Sequence, residues 1–329
     1  MTQTTHNPFL FSYNTPFETP PFNEIKNEHF EPAFDEGIKR LDSEVQAIAN
    51  DTQPATFENT IIALERSGKL LNKVSSAFFN ILNAEADDEM MEISQRISPK
   101  LSESSNNIFL NEKLFARVKN VYEQKDRLNL STEDTKLLEE TFESFSVRGA
   151  NLNPEDKEKY RKLSTDLSVL SLRFDQNALK DKNRYELLLT DEKDLSGLPE
   201  SICEAAALRA KEKGKKGWLF NLTAPSYIPF MRYADSRKLR ETMYREYMSV
   251  GNKGDEYDNK EIIRQIINIR LEIARLMGYN TYAEYSLKHT MAKNPATVYN
   301  LLNQLLDAYK PVAINEYNAL QGFAIGMDQ

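Results

Sequence analysis

The stretch Tyr160-Arg-Lys-Leu163-Ser-Thr-Asp-Leu167-Ser-Val-Leu170-Ser-Leu-Arg-Phe174 places its large apolar residues three and four positions apart throughout. On a helix of 3.6 residues per turn those five side chains form one stripe, so the spacing predicts a long amphipathic helix with one buried face. Working outward, the same rhythm recurs in Phe34, Ile38, Leu41, Val45 and Ile48, and in Phe57, Ile61, Leu64, Leu71, Phe78 and Leu82. The chain therefore reads as mainly α, with eight to ten helices separated by short turns.

Boundary signals agree with the periodicity. Ser131 precedes Asp134, and Thr281 precedes Glu284, by the three residues that a capping side chain requires. Asn153-Pro154 and Asn294-Pro295 set proline at a first helical position, where its missing N–H costs nothing. Gly149, Gly251 and Gly278 each follow the last periodic residue of a run, as a left-handed cap demands.

Two stretches depart from the helical period: Tyr185 to Thr190 and Trp218 to Thr223. The second alternates at period two between glycine and proline, so the pair is expected to form a small two-stranded β element joined by a helix over Glu200 to Lys213. The segment 1–21, rich in proline and aromatic residues from Asn7 onward, is expected to be extended chain lying over a helical domain that spans 22–329.

Composition narrows the function classes. The 329 residues are 40% hydrophobic, enough for a real core, and carry a net charge of -8 with both signs interspersed. No face reads as phosphate-neutralising, so nucleic acid is not an expected partner. The basic run Lys211, Lys213, Lys215 and Lys216 is broken by Gly214 and closed by Gly217, the pattern of a solvated turn tip. One cysteine, Cys203, cannot form an internal disulfide; it sits beside Ala205, Ala206 and Ala207 and reads as a small packed residue. No run approaches the length of a membrane span, and no signal peptide is legible, so a cytoplasmic location is expected and no membrane partner.

Catalytic signatures are sparse. A helical zinc site needs two His at i and i+4, but His6, His29 and His289 are followed at that distance by Leu10, Ala33 and Lys293. Each lone His reads as a surface or capping side chain. There is no Gly-x-Ser-x-Gly elbow and no phosphate-binding glycine loop. The acid pairs Asp87-Asp88 and Glu139-Glu140 read as a solvated helix start and an outer helix face. Tyr227, Tyr233, Tyr244, Tyr247 and Tyr257 lie near Arg232 and Arg245 in sequence. Those are side-chain types that peptide-binding walls use, although helix packing explains them as well.

Several blocks carry a family resemblance: Pro20-Pro21-Phe22 leading to His29-Phe30-Glu31-Pro32-Ala33-Phe34, then Thr56-Phe57-Glu58-Asn59-Thr60 and Leu64-Glu65-Arg66-Ser67-Gly68. Gly149-Ala150-Asn151-Leu152, Pro225-Ser226-Tyr227-Ile228-Pro229-Phe230, Gly278-Tyr279, Tyr282-Ala283-Glu284-Tyr285 and Met291-Ala292-Lys293 continue it in order. The chain resembles the N-terminal half of the thimet-oligopeptidase-like zinc metallopeptidases, on the bacterial peptidyl-dipeptidase and oligopeptidase A branch.

That resemblance implies a nearly all-helical, two-lobed fold whose central channel admits short peptides. It also implies one zinc ion in the complete enzyme, held by a His-Glu-x-x-His helix and a downstream Glu. None of those residues occurs before Gln329, so no catalytic or metal residue carries over, and the catalytic zinc domain is expected to be a missing C-terminal lobe. The C-terminal stretch Tyr309 to Phe323 still reads helical, which leads to the expectation of a cut end and of a large exposed apolar face where that lobe would pack. Arg232 and Tyr233 are the candidate channel residues. The alternative expectation is a non-enzymatic helical scaffold that binds peptides or a partner protein.

Overall fold

A computed structural model describes residues 7–85 and 87–327. Residues 1–6, including His6 and the start of the expected extended segment, lie outside the described residues. From Asn7 the chain makes two short 3-10 turns, Pro8–Leu10 and Pro16–Glu18, rather than a uniformly extended strand, and the first of them inserts Phe9 into the core.

Helices then follow in order: α1 (Asn27–Ala49), a π-helical turn Phe57–Ile62 that runs on into α2 (Ala63–Glu65), α3 (Lys69–Glu85), α4 (Asp88–Phe109), α5 (Glu112–Glu123), α6 (Thr132–Val147) and α7 (Pro154–Arg184). Strand β1 (Leu187–Leu189), α8 (Glu200–Glu212) and strand β2 (Trp218–Phe220) come next, before α9 (Ala224–Tyr233), α10 (Arg237–Met248), α11 (Lys260–Leu276), α12 (Tyr282–Leu287) and α13 (Pro295–Met327). The two strands pair antiparallel, with Leu187 opposite Phe220 and Leu189 opposite Trp218. The mainly α class and the small sheet are as the sequence predicts.

The helical stretches exceed eight to ten, in part because the run Phe57 to Leu82 is not one helix. Gly68 divides the run: it adopts φ +71°, which ends one helix and turns the chain into α3. The predicted starts hold in detail. Ser131, Asn153 and Thr281 each accept a backbone N–H three residues on, from Asp134, Asp156 and Glu284, and Asn294 does the same for Thr297. Asp87 caps α4 by accepting the Met90 N–H, and Gly149, Gly251 and Gly278 all take positive φ.

The core is a chain of apolar clusters. Phe9, Phe30, Phe34, Val74, Phe78, Ile93 and Ile97 join α1, α3 and α4, with Phe30 and Phe78 meeting edge to face at 4.9 Å between ring centroids. Val45, Ile48, Ile61, Leu114, Val118, Leu138 and Phe145 join α1 to α5 and α6. A third cluster sets Leu189, Ala206, Phe220, Phe230 and Met243 between the sheet and α8 to α10.

Helix α7 links these regions, packing against α4 and α11, but its stripe is buried only in part. Tyr160 and Leu163 are buried with Ile273, whereas Leu167, Leu170 and Phe174 are half-buried. Farther along, its buried contacts are polar. Gln176 donates to the Met91 carbonyl at 3.1 Å, Asn177 donates to Asn259 at 3.0 Å, and Asp181 is fully buried. Satisfied hydrogen bonds to flanking elements make polar burial tolerable there, beyond the end of the apolar stripe.

Candidate functional site

The candidate residues Arg232 and Tyr233 occupy the last turn of α9. That helix is entered through a local hydrogen-bonded turn: the Ser226 hydroxyl accepts the Asn221 N–H at 3.0 Å, and the Thr223 hydroxyl donates to Asn221 Oδ1 at 2.7 Å. Phe230 then buries completely against Phe220 of β2, ring centroids 4.8 Å apart, which fixes the opposite face outward. Arg232 and Tyr233 are both exposed, with the guanidinium carbon 5.3 Å from the tyrosine ring centroid, a cation–π contact.

The end of α9 is held from two directions. On one side, the Asp235 N–H donates to the Ser196 carbonyl at 2.9 Å, while the Ser196 hydroxyl donates to the Asp235 carboxylate at 2.6 Å. On the other, the Arg240 guanidinium of α10 donates to the carbonyls of Ala234 and Asp235. Carbonyls at a helix C-terminus lack intrahelical partners, so an arginine aimed at them satisfies the orphan groups and complements the dipole. The backbone under Arg232 and Tyr233 is thereby fixed, which is what a contact surface for a flexible ligand requires.

Of the other aromatic residues in this region, the structure brings together Tyr227 and Tyr247, stacked at 4.2 Å between α9 and α10. Burial, with the Tyr247 and Tyr244 hydroxyls nearby, pushes the Tyr227 hydroxyl up from its ordinary value. Tyr257 belongs elsewhere: its ring lies under Arg184, 4.8 Å from the guanidinium carbon. Arg245 pairs with Glu241 one turn back on its own helix. The tyrosine cluster is thus partly helix packing and partly exposed surface.

A concavity that periodicity did not reveal is a cleft of about 520 Å³ between α6 and the α11–α12 segment. Phe142, Glu143, Tyr279, Tyr285, Lys288 and His289 contribute to its walls. His289 lies against the Glu143 carboxylate there. His29, by contrast, is buried and structural: its Nδ1 accepts the Lys26 N–H at 3.1 Å at the start of α1. Cys203 is half-buried on α8, and burial pushes its thiol up, away from reactivity. Lys213 and Lys215 both pair with Glu186, so the basic run is a turn tip folded back on the sheet.

No three His, Cys, Asp or Glu side chains gather among the described residues to hold a metal ion. A catalytic zinc takes at least three such donors, so the described residues do not fit a zinc site.

In sequence, the chain is similar to known peptidases. Residues 230–326, which run from the end of α9 to the end of α13, match Peptidase family M3. The dipeptidyl carboxypeptidase of Escherichia coli strain K12 is 35% identical over 319 residues, covering 97% of this chain and 47% of that protein. Oligopeptidase A of Haemophilus influenzae is 33% identical over 309 residues, covering 92% of this chain and 45% of the relative. The organellar oligopeptidase A of Arabidopsis thaliana is 30% identical over 315 residues, covering 94% and 39%. The chain belongs to this M3 peptidase family. It spans about half the length of the curated relatives it matches.

Proposed function

We propose that this chain is the helical N-terminal lobe of a zinc-dependent peptidyl-dipeptidase or oligopeptidase that cleaves short peptides. In that reading the lobe forms one wall of the substrate channel and hydrolyses nothing alone. The observation that carries it is a contrast: similarity to peptidases along 97% of the chain, combined with no gathered metal donor set among the described residues. The metal and the groups that hold it then belong to the lobe this chain does not supply. A zinc ion bound there would activate a water for attack on the peptide bond.

What this chain contributes is position. The Arg232 guanidinium can donate to peptide carbonyls or to a terminal carboxylate, and the Tyr233 ring can cover a side chain. Because the backbone beneath both is already anchored by Ser196, Asp235 and Arg240, little ordering cost falls on binding. Among the described residues no helix is long and apolar enough to cross a membrane, and a cytoplasmic location is proposed with the function.

The test is hydrolysis of a short N-blocked peptide by the purified chain with added zinc, read by mass spectrometry with a chelator control. No cleavage is expected. Chelator-sensitive release of a C-terminal dipeptide would overturn the division of labour between lobes. A lobe that neither cleaves nor supports cleavage when joined to the rest of a family peptidase would instead be the scaffold.

A further inference from the structure

Helix α13 runs 33 residues, about 50 Å at 1.5 Å per residue, and none of its residues is buried. Pro295 and Val298 are half-buried near its start, and every residue from Tyr299 to Met327 is exposed. Yet its sequence is that of an interior helix. Only Asp307, Lys310 and Glu316 carry charge between Pro295 and Met327.

At 100° per residue, Leu301, Leu302, Leu305, Tyr309, Val312, Leu320 and Phe323 fall together, and Tyr299, Leu306 and Tyr317 widen the arc to roughly 160°. The opposite side carries Asn300, Asn303, Asp307, Lys310, Asn318 and Gln321, with Ile314 and Ile325 set among them. One charge, Glu316, falls inside the apolar arc, between Val312 and Leu320. A continuous apolar surface of this length on a protein face marks an interface.

From this geometry we infer that α13 is the principal docking element for the other half of the same polypeptide in the longer family members, and that this half seats at least two apolar elements along it and sets a basic side chain opposite Glu316. The inference rests on the reading of the chain as one lobe, and adds where the lobes join and with what chemistry. A second copy of this chain is the poorer occupant. An arc of about 160° is wider than the narrow seam that two paired helices bury, so it calls for more than one neighbour, and a second copy brings one such helix. The relatives' extra length, about half of each protein, supplies the missing mass. The basic partner follows from Glu316, since a carboxylate covered without one would carry a large desolvation cost.

The test uses Leu305→Glu/Val312→Glu. The purified chain is mixed with the half of the E. coli dipeptidyl carboxypeptidase that it does not match, produced as a separate polypeptide, and complex mass is read by analytical ultracentrifugation. A 1:1 complex is expected for the wild type, weakened at least about 10-fold by the double substitution, whose own melting temperature stays unchanged because α13 is solvated in the isolated chain. In a second arm, charges at the two aligned positions of the full-length E. coli relative are expected to lower its melting temperature by at least about 5 °C. A discrete wild-type dimer that the substitutions abolish, with no complex, would overturn the inference in favour of self-association. An unchanged melting temperature in the full-length relative would overturn it outright. Mass and melting temperature are read without peptide hydrolysis, so the docking claim and the peptidase reading fail separately.

Discussion

Gly197 lies so close beneath Tyr233 that an ideal Cβ built on it would stand 2.2 Å from the Tyr233 carbonyl oxygen. Its φ of +86° is also one that side-chain-bearing residues rarely adopt. Both obstacles act where the Ser196–Asp235 clasp holds the end of α9. Gly197→Ala is therefore expected to destabilise the chain by about 2 kcal/mol and to loosen the segment carrying Arg232 and Tyr233. Urea denaturation measures the first effect, and amide exchange at residues 232–236 the second. Wild-type stability together with wild-type exchange would show that the close approach is not a constraint.

How far such features are legible in the sequence depends on their range. The caps at Ser131, Asn153, Thr281 and Asn294, and the strands around Leu188 and Leu219, follow from side chains within four residues of one another, where local chemistry decides the outcome. Gly68 marks the limit of periodicity. The apolar spacing continues through it from Phe57 to Leu82, while its backbone ends one helix and turns the chain into another. The anchoring of Arg232 and Tyr233 was illegible because it depends on Ser196 and Gly197, on the far side of a helix and a strand. The cleft beside His289 was equally hidden, since Glu143 and His289 meet across 145 intervening positions with no local signature.

Asp181 should be the most consequential carboxylate in the chain. It is fully buried on α7 and accepts the Gly251 N–H at 2.7 Å, while Lys253 and Arg184 pair with it. Burial alone would raise its pKa, but those three donors outweigh burial and hold it below the usual carboxylate value. With the folded value depressed, the stabilisation is complete above the unfolded value near pH 4, and is lost as pH falls through the folded value. Asp181→Asn is expected to cost about 2 kcal/mol at pH 7, and the gap from wild type to shrink below about pH 4. Denaturation curves at pH 7, 4 and 3 measure it; a gap that stays constant with pH would mean the charge is not what ties the 251–255 loop to α7.

Tyr285 reaches from α12 to the end of α6, donating its hydroxyl hydrogen to the Val147 carbonyl at 2.6 Å. Burial, with the Tyr160 hydroxyl alongside, raises the Tyr285 pKa, so the hydroxyl stays protonated and able to donate through neutral pH. Val147 is the last residue of α6, and its carbonyl has no partner within the helix. Removing the donor with Tyr285→Phe keeps the ring packing and is expected to cost about 1 kcal/mol. A shift of a few degrees in melting temperature would register it. No shift would mean that water replaces the tyrosine at the open side of the cleft.

The candidate channel residues are best tested in a complete family peptidase carrying this lobe, because the proposed role is to bind substrate rather than to react with it. Arg232→Ala and Tyr233→Ala remove exposed groups whose backbone is secured by Asp235 and Arg240, so neither should disturb folding. Each is expected to raise KM about 5-fold, equivalent to about 1 kcal/mol of lost binding, while kcat stays within about 2-fold. That split separates the proposed role from two others. A group acting in the transition state would lower kcat and kcat/KM together, whereas a purely structural residue would lower melting temperature first. Unchanged KM in both variants would remove the α9 terminus from the channel wall, and would redirect attention to the cleft bearing Lys288 and His289, where a peptide could meet charges of both signs.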